Sequence, residues 1–203
     1  MSAPKINITI PTYNREKTIL RCLESSIHQS YSNTTITIVD DGSADSTLET
    51  IRPYLEDESI TYIKLACNVG TANAKNVSIL LSDFDAITFH DSYDYFYRHN
   101  VAEQARVLFF VKPTYYPRLN YIREYMLEHG SDFDVVTCAF HLKDKRGNVH
   151  LLGEDRIIHV ECFFPNLVRD YKTSNVWDWI LINNALFQKR TFEMLGGYAN
   201  TIE

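Results

Sequence analysis

Cysteine is scarce in this chain. Cys22, Cys67, Cys138 and Cys162 stand far apart among 203 residues, which argues against a disulfide framework and against the paired spacing of a zinc site. Cys22 and Cys138 fall in apolar stretches and read as small core residues. No apolar signal region opens the sequence, and no run approaches the roughly 20 residues that span a bilayer. A chain without a transmembrane segment, in a reducing compartment such as the cytoplasm, is therefore expected. Positive charge is in deficit: 20 Lys and Arg stand against 26 Asp and Glu, a net charge of −6. That balance supports neither a nucleic-acid nor a polybasic membrane role. The seven histidines form no pair at metal-ligand spacing on a predicted helix. Repeats, low-complexity tracts and clear linkers are also missing. Asn7, Asn33 and Asn76 match the N-glycosylation pattern, but with no secretory signal they read as chance matches.

What is present is an ordinary globular composition, 45% hydrophobic and 23% charged, with enough length for one domain and a real core. Ile6, Ile8 and Ile10 alternate with polar residues as in a strand. Arg15 to Gln29 carries apolar residues at helical spacing. Thr34–Val39 and Ile60–Leu65 read as strands, Ser43–Leu55 as a helix capped by Ser43 or Asp45, Thr71–Leu81 as a helix and Ala86–Phe89 as a short strand. This βαβαβαβ alternation predicts an α/β fold, a mostly parallel central sheet with helices on both faces. Further on, Leu119–His129 looks helical, Asp134–His141 strand-like, 145–148 a turn, Trp177–Phe187 a buried strand and Gln188–Leu195 a short helix.

Three polar clusters sit where strands would emerge, the ligand crevice of an open α/β sheet. Pro11-Thr12-Tyr13-Asn14 follows the first strand. The proline should end the ladder, and Tyr13 offers a face to a nucleotide base; the bland alternative is a turn with Asn14 as cap. Asp40-Asp41-Gly42-Ser43 follows the second strand. Adjacent carboxylates repel and call for a donor or a cation, unless they simply build an Asx-turn. Asp91-Ser92-Tyr93-Asp94 follows the fourth. Carboxylates gathered at strand ends suit a divalent cation with a phosphate-bearing ligand. Lys75, on the Thr71–Leu81 helix, reads by itself as a solvated surface lysine.

Together these segments resemble the family 2 glycosyltransferases, which have the GT-A (Rossmann-like) fold, from about Ile6 to Tyr198. The resemblance implies a nucleotide-diphosphate-sugar donor, most simply a UDP-sugar. It also implies Mn²⁺ or Mg²⁺ and transfer to a hydroxyl of a glycan, lipid-linked or protein acceptor, with inversion for a direct displacement. Carried over by position, Pro11, Tyr13 and Asp41 hold the base, Arg15 and Lys75 serve the phosphates, and Asp91 and Asp94 serve the ribose and the metal. One departure is Tyr93, where the family's Asp-x-Asp-Asp pattern has an acid. Another is the stretch 95–115, which reads as an insertion before Tyr116-Pro117-Arg118-Leu119. It is either a flap on the acceptor side or a structural element. The family's catalytic acid should follow near Glu203, which leaves Asp178 and Glu203 as candidate bases within the chain. The expected organisation is a single domain over 1–203 that lacks its C-terminal part. It has a nucleotide-binding half at 1–94 and an acceptor-side half at 116–203. Two rivals stand beside it. One is a nucleotide-sugar-binding or interaction module that has lost catalysis. The other is a nucleotidyltransferase, which expects a Gly-rich basic loop where Pro11-Thr12-Tyr13-Asn14 stands.

Overall fold

A computed structural model describes residues 2–110, 135–137, 140–143, 149–152, 156–158 and 185–195. β1 (Ile6–Thr12) lies between β2 (Thr34–Asp40) and β4 (Ala86–Phe89), parallel to both, and β3 (Ile60–Lys64) runs parallel on the far side of β2. β5 (Val135–Thr137), β8 (Arg156–Ile158) and β9 (Ala185–Gln188) extend the sheet through antiparallel pairings, giving the order β3-β2-β1-β4-β9-β5-β8. These pairings leave β1 to β5 all pointing one way, so the sheet is mostly parallel, as the alternation predicts. β6 (Phe140–Lys143) and β7 (Val149–Leu152) form a separate antiparallel pair.

The two faces of β1 have different chemistry, which follows from the period of two along a strand. Ile6, Ile8 and Ile10 are fully buried against Ile19, Cys22 and Leu23 of α1 (Ile19–Ile27) and Ile51 of α2 (Thr47–Ile51). Each such side chain contributes about 1.5–3 kcal/mol of burial. Asn7 and Thr9 face the other way. Asn7 Nδ2 donates to Thr37 Oγ1 at 2.8 Å and Thr35 Oγ1 at 3.1 Å, and Thr9 Oγ1 donates to Asn7 Oδ1 at 2.8 Å. Thr9 Oγ1 also meets Ser78 Oγ of α3 (Thr71–Leu81) at 2.5 Å. One face is therefore sealed by apolar packing and the other by a buried polar ladder, with helices on both.

Several boundaries differ from the sequence reading. Pro11 does not end β1. The strand runs on to Thr12, because the Thr9 carbonyl faces β4 and Pro11, two residues later, faces the same side just where β4 has ended. α1 begins at Ile19 rather than Arg15, after a turn in which the N–H groups of Thr18 and Ile19 both donate to the Arg15 carbonyl. α2 spans only Thr47–Ile51 before a 3₁₀ turn at Arg52–Tyr54, since residues 43–46 are engaged with the β1–α1 loop. The strand expected over 134–141 is two strands, Val135–Thr137 and Phe140–Lys143, in different sheets. The expected final helix starts at Lys189 as α5 (Lys189–Leu195).

Residues 95–110 pack in part on the core. α4 (Asn100–Ala105) leads into a π-helical turn, Arg106–Phe110. Phe96, Val101, Ala105 and Leu108 all enter the main core. The segment runs down beside α1, where Gln29 Nε2 donates to the Tyr97 carbonyl and Phe96 N donates to Ser25 Oγ. Among the described residues no helix is long and apolar enough to cross a membrane. The expected helix at 119–129, the turn at 145–148 and most of the expected strand at 177–187 lie outside the described residues.

Candidate functional site

The parallel register brings the ends of β2, β1 and β4 side by side, with Thr12 opposite Asp40 and Thr9 opposite Phe89. Tyr13, Asp41 and Asp91 follow these ends. Pro11 is buried within β1, and Tyr13 stands 44% exposed just beyond it.

The β1–α1 and β2–α2 loops are laced together. Asn14 adopts φ +50, its N–H donates to Ser43 Oγ at 2.9 Å, and its Oδ1 accepts from Ala44 N at 2.9 Å. Arg15 N donates to Thr47 Oγ1, Glu16 N to Asp45 Oδ2, and Ser46 N to Glu16 Oε2. Asn14 is thus a bridge between loops and not the cap of α1, whose N-cap Thr18 makes no side-chain bond. Asp45 has a lowered pKa. Burial pushes it up, but hydrogen bonds from Thr47 and from the Glu16 and Thr47 N–H groups outweigh that push.

The two adjacent carboxylates divide their work. Asp40 is fully buried, accepts Ser43 N at Oδ1 (2.7 Å), and accepts the Tyr62 hydroxyl at Oδ2. Asp41 accepts Val69 N at Oδ1 (2.7 Å) and Gly70 N at Oδ2 (2.9 Å). Each carboxylate oxygen has a second lone pair, so Asp41 is oriented by the 67–70 loop with acceptor capacity to spare. Gly42, at φ +79, lets that loop approach closely.

Lys75 is buried, its ammonium 5.2 Å from the Phe89 ring centroid. Burial lowers its pKa while the charge of Asp91 opposes the shift. Asp91 Oδ2 accepts the Tyr93 hydroxyl at 2.8 Å, and the Asp91 carbonyl accepts Asp94 N at 2.8 Å, closing a turn. Burial first, and then the hydrogen bond to Asp91, push the Tyr93 phenol up to about 12. Asp94 is exposed, yet displaced water and the charge of Asp91 raise its pKa against the pull of Arg21. Beneath this turn, His90 is fully buried, bonded at Nδ1 to Ser26 Oγ (2.8 Å) and stacked on Phe96.

Arg15 places its guanidinium carbon 5.5 Å from the Tyr93 ring centroid, and Arg21 Nη2 donates to the Tyr93 carbonyl at 2.5 Å. An open cleft of about 510 Å³ is lined by residues 14–18, Asp45 and Tyr93. It contains Arg15 but not Tyr13, Asp41, Lys75 or Asp91. Asp178 and Glu203 lie outside the described residues. The Tyr62–Asp40, Arg21–Tyr93 and Ser26–His90 contacts had no motif to announce them.

A divalent cation fits this donor set only as a weak, ligand-completed site. Asp91 and Asp94 supply hard oxygens, but Tyr93 is a neutral phenol and already donates to Asp91. Among the described residues no three His, Cys, Asp or Glu side chains cluster for a metal.

Comparisons with known proteins agree with the motifs. The model of glycosyl transferase family 2 matches residues 7–109, through most of the stretch read as an insertion. The glycosyltransferase GlyA of Streptococcus pneumoniae serotype 4 is 29% identical over 198 residues, covering 94% of this chain and 25% of that protein. The chain spans about a quarter to a third of the length of the curated relatives that match nearly all of it. Among solved structures, S. aureus TarS 1-349 in complex with UDP-GlcNAc superposes with a TM-score of 0.65 at 20% identity, over 96% of this chain and 48% of that one. The mannosyltransferase PcManGT of Pyrobaculum calidifontis, in complex with GDP-Man and Mn²⁺, gives 0.63 at 18% identity, over 100% and 49%. These likenesses establish the expected GT-A fold.

Proposed function

The chain belongs to glycosyl transferase family 2, and from that premise we propose that it is the glycosyltransferase domain of a nucleotide-sugar-dependent enzyme. The reaction moves a sugar from a UDP-sugar to an acceptor hydroxyl, on a glycan, a lipid-linked glycan or a protein, with inversion at the anomeric carbon. The observation that carries this reading is the meeting of Tyr13, Asp41, Lys75 and Asp91 at one carboxyl edge of the parallel sheet. The nucleotide-binding half is residues 1–94.

In this reading Tyr13 stacks on the base beside Pro11, and Asp41 accepts a base N–H with the lone pairs left by Val69 and Gly70. Lys75 and Arg15 take the phosphates. Asp91 takes the ribose beside the Tyr93 hydroxyl that it already accepts. Asp94, with Asp91, would hold Mn²⁺ or Mg²⁺, whose chemistry is to neutralise the departing diphosphate. An inverting displacement also needs a base to deprotonate the acceptor, and Asp178 and Glu203 are the candidates within this chain. The proposed setting is the cytoplasm, in keeping with the free thiols of Cys22 and Cys67.

Tyr93 favours a second reading, a module that binds nucleotide sugar without transferring it, because it removes a charge the family's acidic motif carries. Two measurements test both. Calorimetry with UDP should show binding that Asp41→Asn weakens about tenfold or more, as expected for a lost charge-assisted hydrogen bond. Release of UDP from UDP-sugars in the presence of acceptor then separates enzyme from module. Absence of UDP binding would contradict both readings.

A further inference from the structure

We propose that Arg15, held over the ring of Tyr93, binds the donor's diphosphate and supplies positive charge that would otherwise come from a divalent ion. This inference rests on the nucleotide-sugar reading above.

Position 93 is where an acid would recruit a cation. Here it holds a neutral phenol that donates a hydrogen bond to Asp91 Oδ2 at 2.8 Å and so adds no negative charge. The same ring presents a face to the Arg15 guanidinium, 5.5 Å from its centroid. Such an arrangement attracts the cation through the ring quadrupole. A guanidinium over an aromatic face keeps its N–H donors in its own plane, and those donors match phosphate oxygens. Among the described residues no carboxylate forms an ion pair with Arg15. The two carboxylates of the same cleft are already served: Asp45 accepts from Glu16 and Thr47, and Glu16 accepts from Ser46.

Charge balance points the same way. Two carboxylates, Asp91 and Asp94, with one guanidinium carry the same net charge as three carboxylates with one divalent ion. A tyrosine at 93 removes one negative charge and gives Arg15 a surface in the same step. The backbone supports the arrangement from below, since Arg21 clamps the Tyr93 carbonyl at 2.5 Å. Arg15 is itself exposed, so its donors are open to a ligand in the cleft.

The experiment is calorimetry of UDP and of uridine, each in EDTA and in Mn²⁺, on the wild-type chain, Arg15→Ala and Arg15→Lys. Arg15 is a surface residue whose anchoring bonds run through its backbone N–H and carbonyl, so both variants should fold. The wild type should bind UDP in EDTA within about threefold of its affinity in Mn²⁺. Arg15→Ala should weaken UDP in EDTA about tenfold or more and leave uridine unchanged, because uridine has no phosphate. Arg15→Lys should fall between, keeping the charge but losing the stacked fork. Wild-type UDP binding that vanishes in EDTA and returns with Mn²⁺ would overturn the proposal while sparing the nucleotide reading. An unchanged UDP affinity in Arg15→Ala would overturn it too. Failure of both UDP and uridine under every condition would remove the nucleotide reading itself.

Discussion

Replacing Gly42 with alanine should cost both stability and ligand affinity. Gly42 sits at φ +79, a conformation that costs an L-residue about 1–2 kcal/mol. A Cβ at this position would lie 2.8 Å from the Cys67 carbonyl carbon and 3.0 Å from both Asn68 N and Cys67 Cα. These are backbone atoms, so no change of rotamer relieves the overlap, and the 67–68 segment must move. Overpacking of this kind costs about 1–3 kcal/mol, for a total of roughly 2–5 kcal/mol. The next two residues, Val69 and Gly70, donate to Asp41, so the displacement also loosens the carboxylate proposed to read the base. Gly70→Ala is the comparison. It too has positive φ, +91, but its Cβ meets nothing within 4 Å, so it carries a backbone cost of about 1–3 kcal/mol without overlap. The assay is urea unfolding at unchanged m-value, followed by UDP calorimetry on the folded variants. A loss under about 1 kcal/mol for Gly42→Ala, with UDP affinity intact, would refute the reasoning.

Thr9→Val removes the hydroxyl that donates to Asn7 Oδ1 and meets Ser78 Oγ; it should destabilise by about 1–3 kcal/mol in the same assay, because it strands a buried acceptor. Burial pushes His90 down to about 3, so the folded chain keeps it neutral while the unfolded chain protonates it near its ordinary value of about 6.5. Its contribution is present above about pH 6.5 and is lost as pH falls toward 3, at no more than about 1.4 kcal/mol per pH unit; His90→Gln should flatten that part of the stability–pH curve. Tyr93→Asp should tighten Mn²⁺ binding, measured by calorimetry with UDP present, and should make UDP binding depend on the metal; no change in either would argue that Asp91 and Asp94 hold no cation. General-base assistance contributes about 10²–10⁴-fold, so Asp178→Asn or Glu203→Gln, whichever removes the base, should lower turnover by that order while leaving UDP affinity unchanged. Unchanged turnover in both variants would argue that neither residue is the base.

The sheet was legible because its signal is local. Ile6, Ile8 and Ile10 announce a strand with one apolar face, and Thr71–Leu81 was found at its observed limits. The polar ladder of Asn7, Thr9, Thr37 and Ser78 was not legible, since it joins residues 30 and 69 positions apart. Helix starts were misplaced for a similar reason: residues 15–18 and 43–46 look helical alone, but each loop supplies hydrogen-bond partners to the other. At the site, the acidic pair was visible. What held Asp40 was not, because Tyr62 lies a strand away. The stretch from Tyr95 onward looked like extra chain by motif spacing, yet Phe96, Val101 and Leu108 belong to the core, as burial requires of apolar residues at helical spacing. Arg15 over Tyr93 joins two motifs that the sequence presents separately.

A crystal structure of the chain with UDP bound decides whether a nucleotide site lies at the ends of β1, β2 and β4. The uracil should lie against Tyr13 with an N–H donated to Asp41, the ribose at Asp91, and the diphosphate directed toward Arg15 and Lys75. UDP seated away from that carboxyl edge, with Tyr13 and Asp41 untouched, would contradict it.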